Sequence, residues 1–315
     1  MLTFNNVSHD PFYNQAFEEY VFNTFRDEDI IFLWRNSPSV IVGCCQNICR
    51  EVSVPALRKS GIPVVRRISG GGTVYHDLGN VNYTYIRNTE GSPDYGECIR
   101  PVEEALNSLG VPARKSGVCD ISVFGKKISG NAQRVVKGRL LHHGTLLFNC
   151  DLGVLDGLTT FGKNECFRTK GTLSAISSVT NISQYLSEPM TVEEFQARLT
   201  ELLLPPDRRV IELTAAQEAE VKKLRDEKYG SREWTWGSTP PFVFERIGEF
   251  RGEPVRIFYR AKKGVVSDAE IESPFIDRER ASGLLNGAYL DPEVFAAICS
   301  DLAEDKGEEL FGLLF

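Results

Sequence analysis

Apolar residues fall into short blocks along this chain, some recurring every three to four positions and some alternating, and the two periods predict different elements. After Asp10-Pro11, the residues Ala16, Phe17, Tyr20, Val21, Thr24 and Phe25 recur at helical spacing with Glu18 and Glu19 between them. That pattern predicts an opening helix with a proline in its first turn. Shorter β-rich runs follow: Ile30 to Trp34 and Ser39 to Gly43, split by the turn formers Asn36-Ser37-Pro38. Pro63 to Arg67 enters a glycine loop, and the alternating run Val81 to Ile86 leaves it. A second helix is predicted from about Tyr95 to Leu109, with Ile99, Val102, Ala105, Leu106 and Leu109 on one face and Gly110 as its stop. Asp120 to Phe124, a turn at Gly125-Lys126-Lys127, and Leu140 to Phe148 read as strands of one sheet joined by a tight hairpin.

Helical patterns return at 191–204 and 215–229, and a Trp/Gly/Pro-rich stretch from Trp234 to Phe242 punctuates the chain. Beyond it a hairpin-like pair, Val255–Tyr259 and Gly264–Ile271, precedes two short helices. The boundary is placed near 245, giving units 1–245 and 246–315. There is no internal repeat, and the order of strands and helices fits α+β better than a strictly alternating α/β sheet.

Composition narrows the class. With 42% hydrophobic and 25% charged residues in 315, the chain has the mix of a globular protein with a real core. No apolar run approaches the roughly 20 residues of a membrane span. The first residues show neither a basic region followed by an apolar stretch nor an Arg-rich leader, so a cytoplasmic protein is expected. The balance of 36 basic against 43 acidic residues, −7 in all, disfavours general binding to nucleic acid or membranes. A local pocket for one small anion stays open. The eight cysteines include no CxxC pairs and read as free thiols of a reducing compartment.

Three segments carry candidate chemistry. In Arg66-Arg67-Ile68-Ser69-Gly70-Gly71-Gly72-Thr73-Val74-Tyr75-His76-Asp77-Leu78-Gly79-Asn80, three glycines let the backbone approach a ligand, and arginine pairs well with phosphate or carboxylate. Three glycines alone read more readily as a turn, and the pattern is neither GxGxxG nor GxxxxGK[ST]. In Lys126-Lys127-Ile128-Ser129-Gly130-Asn131-Ala132, a small-residue run straight after a lysine lets a strand pass close beneath a ligand. That lysine could serve as a point charge between two anionic reactants. Adjacent His142 and His143 point to opposite faces of a strand, so they cannot form the i, i+4 zinc pair of a helix.

Taken together, RRISGGGTVYHDLGN, GKKISGNAQR and HHGTLLF resemble the lipoate protein ligases and related lipoyltransferases. DPFYNQAFEEY, GCCQN, TLSAISSVTNI and WTWGSTPPF support the likeness. The resemblance implies a catalytic domain of the biotin/lipoate-ligase, class II synthetase-like fold with a small C-terminal α+β accessory domain. It implies an enzyme that joins lipoate to AMP with ATP and Mg²⁺ and passes the lipoyl group to a lysine. The implied acceptors are lipoyl domains of 2-oxoacid dehydrogenase E2 subunits and the glycine cleavage H protein. Carried over by position, Lys127 is the catalytic lysine. Arg67, Gly72, Thr73, Val74, Tyr75, Asp120 and Lys127 would bind ATP or the adenylate, with Asp120 also a metal contact. Lipoate would meet Arg67, Ser69, Gly70, Gly71, His76, Asn80, Lys127 and His143. Cys119 stands where the family has asparagine. The rivals are an octanoyl or lipoyl transferase of the same fold, working without ATP through a cysteine thioester, and a non-catalytic lipoyl-domain-binding relative.

Overall fold

The computed structural model describes residues 1–91, 93–160 and 164–315. In chain order the strands are β1 (Leu2–Phe4), β2 (Ile30–Trp34), β3 (Ser39–Val42), β4 (Val64–Arg66), β5 (Val74–His76), β6 (Asn80–Asn88), β7 (Arg114–Ser116), β8 (Asp120–Val123), β9 (Lys126–Val136) and β10 (Arg139–Leu147). They continue with β11 (Phe167–Thr169), β12 (Arg209–Ile211), β13 (Phe242–Phe250), β14 (Glu253–Lys262) and β15 (Val265–Glu272). An eight-stranded mixed sheet runs β12-β1-β2-β6-β10-β9-β8-β7. Its β1 is parallel to both neighbours and the other pairs are antiparallel. This is the α+β class expected.

The two faces of the large sheet bury different helices. Asp10 caps the helix Pro11–Thr24, its side chain accepting from the Phe12 N–H at 2.9 Å. Phe17 of that helix meets the rings of Phe4 and Phe32 edge to face, and all three are buried. On another side of the sheet, Ile99, Val102 and Leu106 of the helix Tyr95–Ser108 pack with Ile121, Ile128 and Phe148. Phe148 stacks on Phe195 of the helix Val192–Leu203 with ring centres 4.4 Å apart. The small sheet β4-β3-β5 holds the glycine loop between its strands.

Several expectations shift. The hairpin turn is Phe124-Gly125, both residues at positive φ (48° and 79°), so Lys126 and Lys127 already belong to β9. The predicted helix 215–229 is α-helical from Ala215 to Leu224 and then widens to a π-turn over Arg225–Tyr229. Three helices, not two, follow β15: Arg278–Leu285, Pro292–Ala303 and Gly307–Leu314. Position 245, where the sequence places the domain boundary, falls inside β13, which pairs with β11 on one side and β14 on the other. One hydrophobic cluster joins Val40, Val42, Ile48 and Cys49 to Phe167, Phe244, Tyr259 and Phe295. No helix among the described residues is long and apolar enough to cross a membrane.

Candidate active site

Pairing across the large sheet lines up one row of residues. Trp34 of β2 is opposite Asn82 of β6, and Asn82 is opposite Thr145 of β10. The Thr145 hydroxyl accepts from the Gly130 N–H at 3.1 Å, and Gly130 of β9 is opposite Asp120 of β8. Four strand spacings separate the ends of this row, roughly 19 Å. Over it lies a cavity of about 180 Å³ lined by these residues together with Lys127, Arg67, Gly71, Gly72, His76 and His143.

One end is charged. Lys127 Nζ lies 2.9 Å from Asp120 Oδ1, both side chains about a quarter exposed. A Cβ on Gly130 would come within 2.8 Å of Lys127 Cε and Nζ. The small residue expected to clear space for a ligand therefore first clears space for the lysine itself. Asn131 holds the Cys119 carbonyl with both its backbone N–H (2.9 Å) and its side-chain amide (2.8 Å), which fixes the turn carrying Asp120.

The other end is apolar and unsatisfied. Asn36 Nδ2 donates to His76 Nδ1 at 3.0 Å, because its Oδ1 is already taken by the Asn14 amide. The His76 proton is therefore on Nε2, a buried donor with no partner among the described residues. Burial first, then Arg67 and His143, hold this ring neutral, its pKa pushed down to about 3. Asn80 donates to Asn82 Oδ1 at 2.9 Å and leaves Asn82 Nδ2 unpartnered, and Gln15 Oε1 is likewise buried without a partner. Gln15, His76 and Asn82 all line the cavity beside Trp34. Unsatisfied buried polar atoms are rare and call for a ligand or water.

Behind the wall runs a hydrogen-bonded chain. The Trp34 indole donates to Thr84 (2.9 Å) and the Thr84 hydroxyl donates to buried Glu18 (2.6 Å). Glu18 also lies 2.9 Å from His143 Nδ1, and His143 Nε2 is 2.6 Å from Ser69 Oγ. Ser69 Oγ accepts from Arg67 Nε at 3.1 Å. The Arg67 guanidinium donates to the carbonyls of Ile41 (3.2 Å), Gly70 (2.6 Å) and Gly72 (2.7 Å). Burial pushes its pKa down to about 10. Arg67 thus folds the glycine loop inward, with Gly71 at φ 87° and an added Cβ there meeting Arg67 Nη2 at 3.0 Å.

The segment 171–181 bonds both to the glycine loop and to β9. Thr172 N–H donates to the Cys45 carbonyl at 3.0 Å. Ser174 Oγ accepts from the Thr73 N–H (2.8 Å) and Gln46 Nε2 (3.1 Å) and donates to Glu51. Burial pushes the Glu51 carboxyl up, partly offset by its bonds to Ser174. Further along the segment, Lys127 N–H donates to the Ser178 carbonyl (2.8 Å), and Thr180 N–H donates to that of Lys127 (3.0 Å).

Of the residues expected from sequence, Arg67, Gly71, Gly72, Thr73, Val74, His76, Asp120, Lys127 and His143 line the cavity. Ser69 and Gly70 stand behind its wall as partners of His143 and Arg67. Tyr75 turns away, because alternate strand residues face opposite sides, and packs in the cluster around Val40 and Phe242. Asn80 acts on the cavity only through Asn82. Gln15, Trp34, Asn82, Asn131 and Ser174 line it without having been singled out. No sequence spacing joins them, since each comes from a different element.

The lipoyl protein ligase A/B catalytic domain family matches residues 10–203. The chain is 37% identical over 275 residues to lipoate–protein ligase 1 of Staphylococcus aureus, covering 86% of this chain and 83% of that protein. It is 34% identical to lipoate-protein ligase LplJ of Bacillus subtilis over 305 residues, 93% of this chain and 92% of the relative. Among solved structures, LipL1 of P. falciparum in complex with lipoate superimposes with a TM-score of 0.65 at 24% identity, over 99% of this chain and 98% of that one. A lipoate-protein ligase A bound with ATP gives 0.61 at 27%, over 75% and 98%. The Thermoplasma acidophilum bi-partite lipoate protein ligase, described with its E2 lipoyl domain, gives 0.61 at 26%, over 75% and 96%.

Proposed function

The chain belongs to the lipoyl protein ligase A/B family, and we propose that it activates lipoate with ATP to lipoyl-AMP and transfers the lipoyl group to one lysine of a lipoyl domain. The observation that carries the chemistry is the slot with Lys127 and Asp120 at one end and Trp34, His76 and Asn82 at the other. Lipoate fits it with its carboxylate toward Lys127 and its ring toward the aromatic, unsatisfied end.

In the first step a carboxylate oxygen of lipoate attacks the α-phosphorus of ATP. The new O–P bond forms as the bond to pyrophosphate breaks. Both reactants are anionic, and the Lys127 ammonium between them offsets their repulsion and stabilises charge gathering on the phosphoryl oxygens. The loop shaped by Arg67 and the segment held at Ser174 close around the nucleotide side and exclude water from the mixed anhydride. In the second step the amine of the acceptor lysine attacks the acyl carbon, AMP leaves, and the amine gives up its proton as the amide forms.

Asp120 is the single carboxylate lining the cavity among the described residues. That fits Mg²⁺, which takes one or two protein carboxylates and completes its shell with phosphates and water. Bound there, the ion would neutralise charge on the pyrophosphate leaving group. The same Asp120 would exchange its contact with Lys127 for the metal.

The thioester rival needs a reactive thiolate. Cys119 lines the cavity, but burial, followed by the charge of Asp120, pushes its thiol pKa up, which opposes nucleophilic use. The discriminating experiment is lipoate-dependent exchange of labelled pyrophosphate into ATP, run beside transfer from supplied lipoyl-AMP. Exchange is expected; transfer without exchange would leave only the second half-reaction to this protein, and neither would remove the ligase reading.

A further inference from the structure

Cys44 and Cys45 are the central residues of a turn closed by the Gln46 N–H on the Gly43 carbonyl at 3.2 Å. Their Sγ atoms lie 3.1 Å apart. Turns favour glycine, asparagine, aspartate, proline and serine, and a cysteine that serves packing is buried. Cys49, nearby in sequence, is such a thiol, fully buried in the cluster with Val42 and Tyr259. Cys45 by contrast is exposed and Cys44 half-buried, and neither lines the cavity. Turn chemistry, packing and the two half-reactions all leave this pair unexplained.

The turn is also a junction. The buried Arg66 guanidinium donates to the carbonyls of Gly43 (2.9 Å), Cys44 (3.3 Å) and Gln46 (2.9 Å), and its Nε donates to the Thr235 carbonyl (2.9 Å). Gln46 Oε1 accepts from the Gly43 N–H and the Thr73 hydroxyl, both at 2.9 Å. The Cys45 carbonyl holds the Thr172 N–H near the start of the segment 171–181. A Cβ on Gly171 would lie 3.2 Å from that carbonyl oxygen, so the segment rests directly on the turn. The backbone of the two cysteines therefore sets where the segment sits beside the glycine loop.

We propose that Cys44 and Cys45 form a modification site, a vicinal dithiol that a peroxide closes to a disulfide, and that closure frees the segment 171–181 from the turn. The Cys45 thiolate attacks one peroxide oxygen, the O–O bond breaks, the departing hydroxide takes a proton to leave as water, and Cys45 becomes a sulfenic acid. The Cys44 sulfur then attacks that sulfur and gives up its proton, and the S–O bond breaks as a second water leaves. Two thiols lose two electrons, and one peroxide is reduced to two waters. Burial and then the neighbouring thiol push Cys44 up, with Arg134 and Arg67 offsetting part of this, so exposed Cys45 attacks and Cys44 resolves. Closure cannot leave the turn as it is. Neighbouring Cα atoms stand about 3.8 Å apart, short of the roughly 4.4–6.8 Å that disulfides span, so the peptide between the cysteines has to reorient. The Cys44 carbonyl on Arg66 turns with it, and the Cys45 carbonyl on Thr172 follows.

The test treats the full reduced chain with hydrogen peroxide, the parent beside Cys44→Ser/Cys45→Ser. Serine is an ordinary turn residue, so this double variant should fold and work like the reduced parent. Peptide mapping by mass spectrometry is expected to find the Cys44–Cys45 disulfide in the oxidised parent. Trypsin cleavage after exposed Lys170, next to the segment, is expected to speed up roughly tenfold there, as one or two ordinary hydrogen bonds are lost. Lipoate-dependent pyrophosphate exchange should fall as cleavage rises, and only this readout rests on the ligase reading. Dithiothreitol should reverse both changes, and the double variant should show neither. Failure to find this disulfide overturns the proposal, as does a disulfide that leaves cleavage unchanged or equal acceleration in the double variant. The mapped disulfide with faster cleavage, in a protein lacking all exchange, would sustain the switch and count against the ligase reading instead.

Discussion

Lys127 and Gly130 act as a unit, because the glycine's missing Cβ is where the lysine chain lies. Lys127→Ala should abolish lipoyl-AMP formation with thermal stability unchanged, while Lys126→Ala, on the opposite face of β9, should retain most of it. Gly130→Ala is the sharper probe. The added methyl meets only the flexible end of a side chain, so the fold should survive while the ammonium is displaced. Adenylation kcat should drop at least tenfold, whereas a variant as active as the parent would show that the lysine's placement is not set here. Cys119→Ser should keep substantial activity, since a thiol pushed up by burial and Asp120 is not asked to form a covalent bond. Detection by mass spectrometry of an acyl adduct on Cys119 would instead restore the transferase reading. At this scale the sequence made Lys127, Asp120, His76 and His143 legible. It could not show that Arg67 spends its donors on backbone carbonyls, because that depends on the curl of the loop around it.

Among the elements, the segment 171–181 is held at one point by Ser174, whose hydroxyl joins Thr73, Gln46 and Glu51. Ser174→Ala leaves the Thr73 N–H and the buried Glu51 carboxyl each short of a partner, a penalty of about 1–3 kcal/mol. The expected result is a rise in KM for ATP with smaller change in transfer from supplied lipoyl-AMP. Equal loss in both half-reactions would mean that the segment serves the whole fold instead of the nucleotide side. The helix Pro11–Thr24 and the strand β6 were readable from the period of their apolar residues, although both are buried on more than one side. The three-residue strands β1, β7 and β12 were not: three residues hold no period, and these become strands only by pairing with distant neighbours.

For the whole molecule, two buried neutral histidines set the acid limit. Burial pushes both His76 and His142 down to about 3, while an unfolded chain protonates histidine near 6.5. Between those values the unfolded state binds more protons. Stability is therefore complete above about pH 6.5 and falls as pH drops toward 3, by on the order of a few kcal/mol per ring. Thermal melts from pH 7.5 to 4.5 should show this slope, and His142→Asn should flatten it; a parallel pH profile in that variant would assign the acid sensitivity elsewhere. The C-terminal unit is better divided from the rest at Pro240-Pro241, ahead of β13, than at 245. A chain ending at Pro240 should lose thermal stability, because β11 loses its strand partner and Phe167 its cover. It should be impaired in adenylation yet still transfer from supplied lipoyl-AMP, and adding residues 241–315 in trans should restore the first step. Full adenylation by the short chain would leave the second unit without a part in it.

The sequence by itself determined the α+β class, the long periodic elements, the family, and the contiguous motifs that bring Lys127, the glycine loop and His143 to one place. These are local properties, carried by residue type, period and spacing. Only the tertiary structure decided that Trp34, Asn82, Thr145, Gly130 and Asp120 form one row across four strand pairings, that Gln15 and Asn82 face the same cavity, and that Tyr75 does not. It also shows a strand, β13, passing through position 245. Such facts depend on register and strand order, and a register is fixed by burial against partners far away in sequence, which no local pattern records.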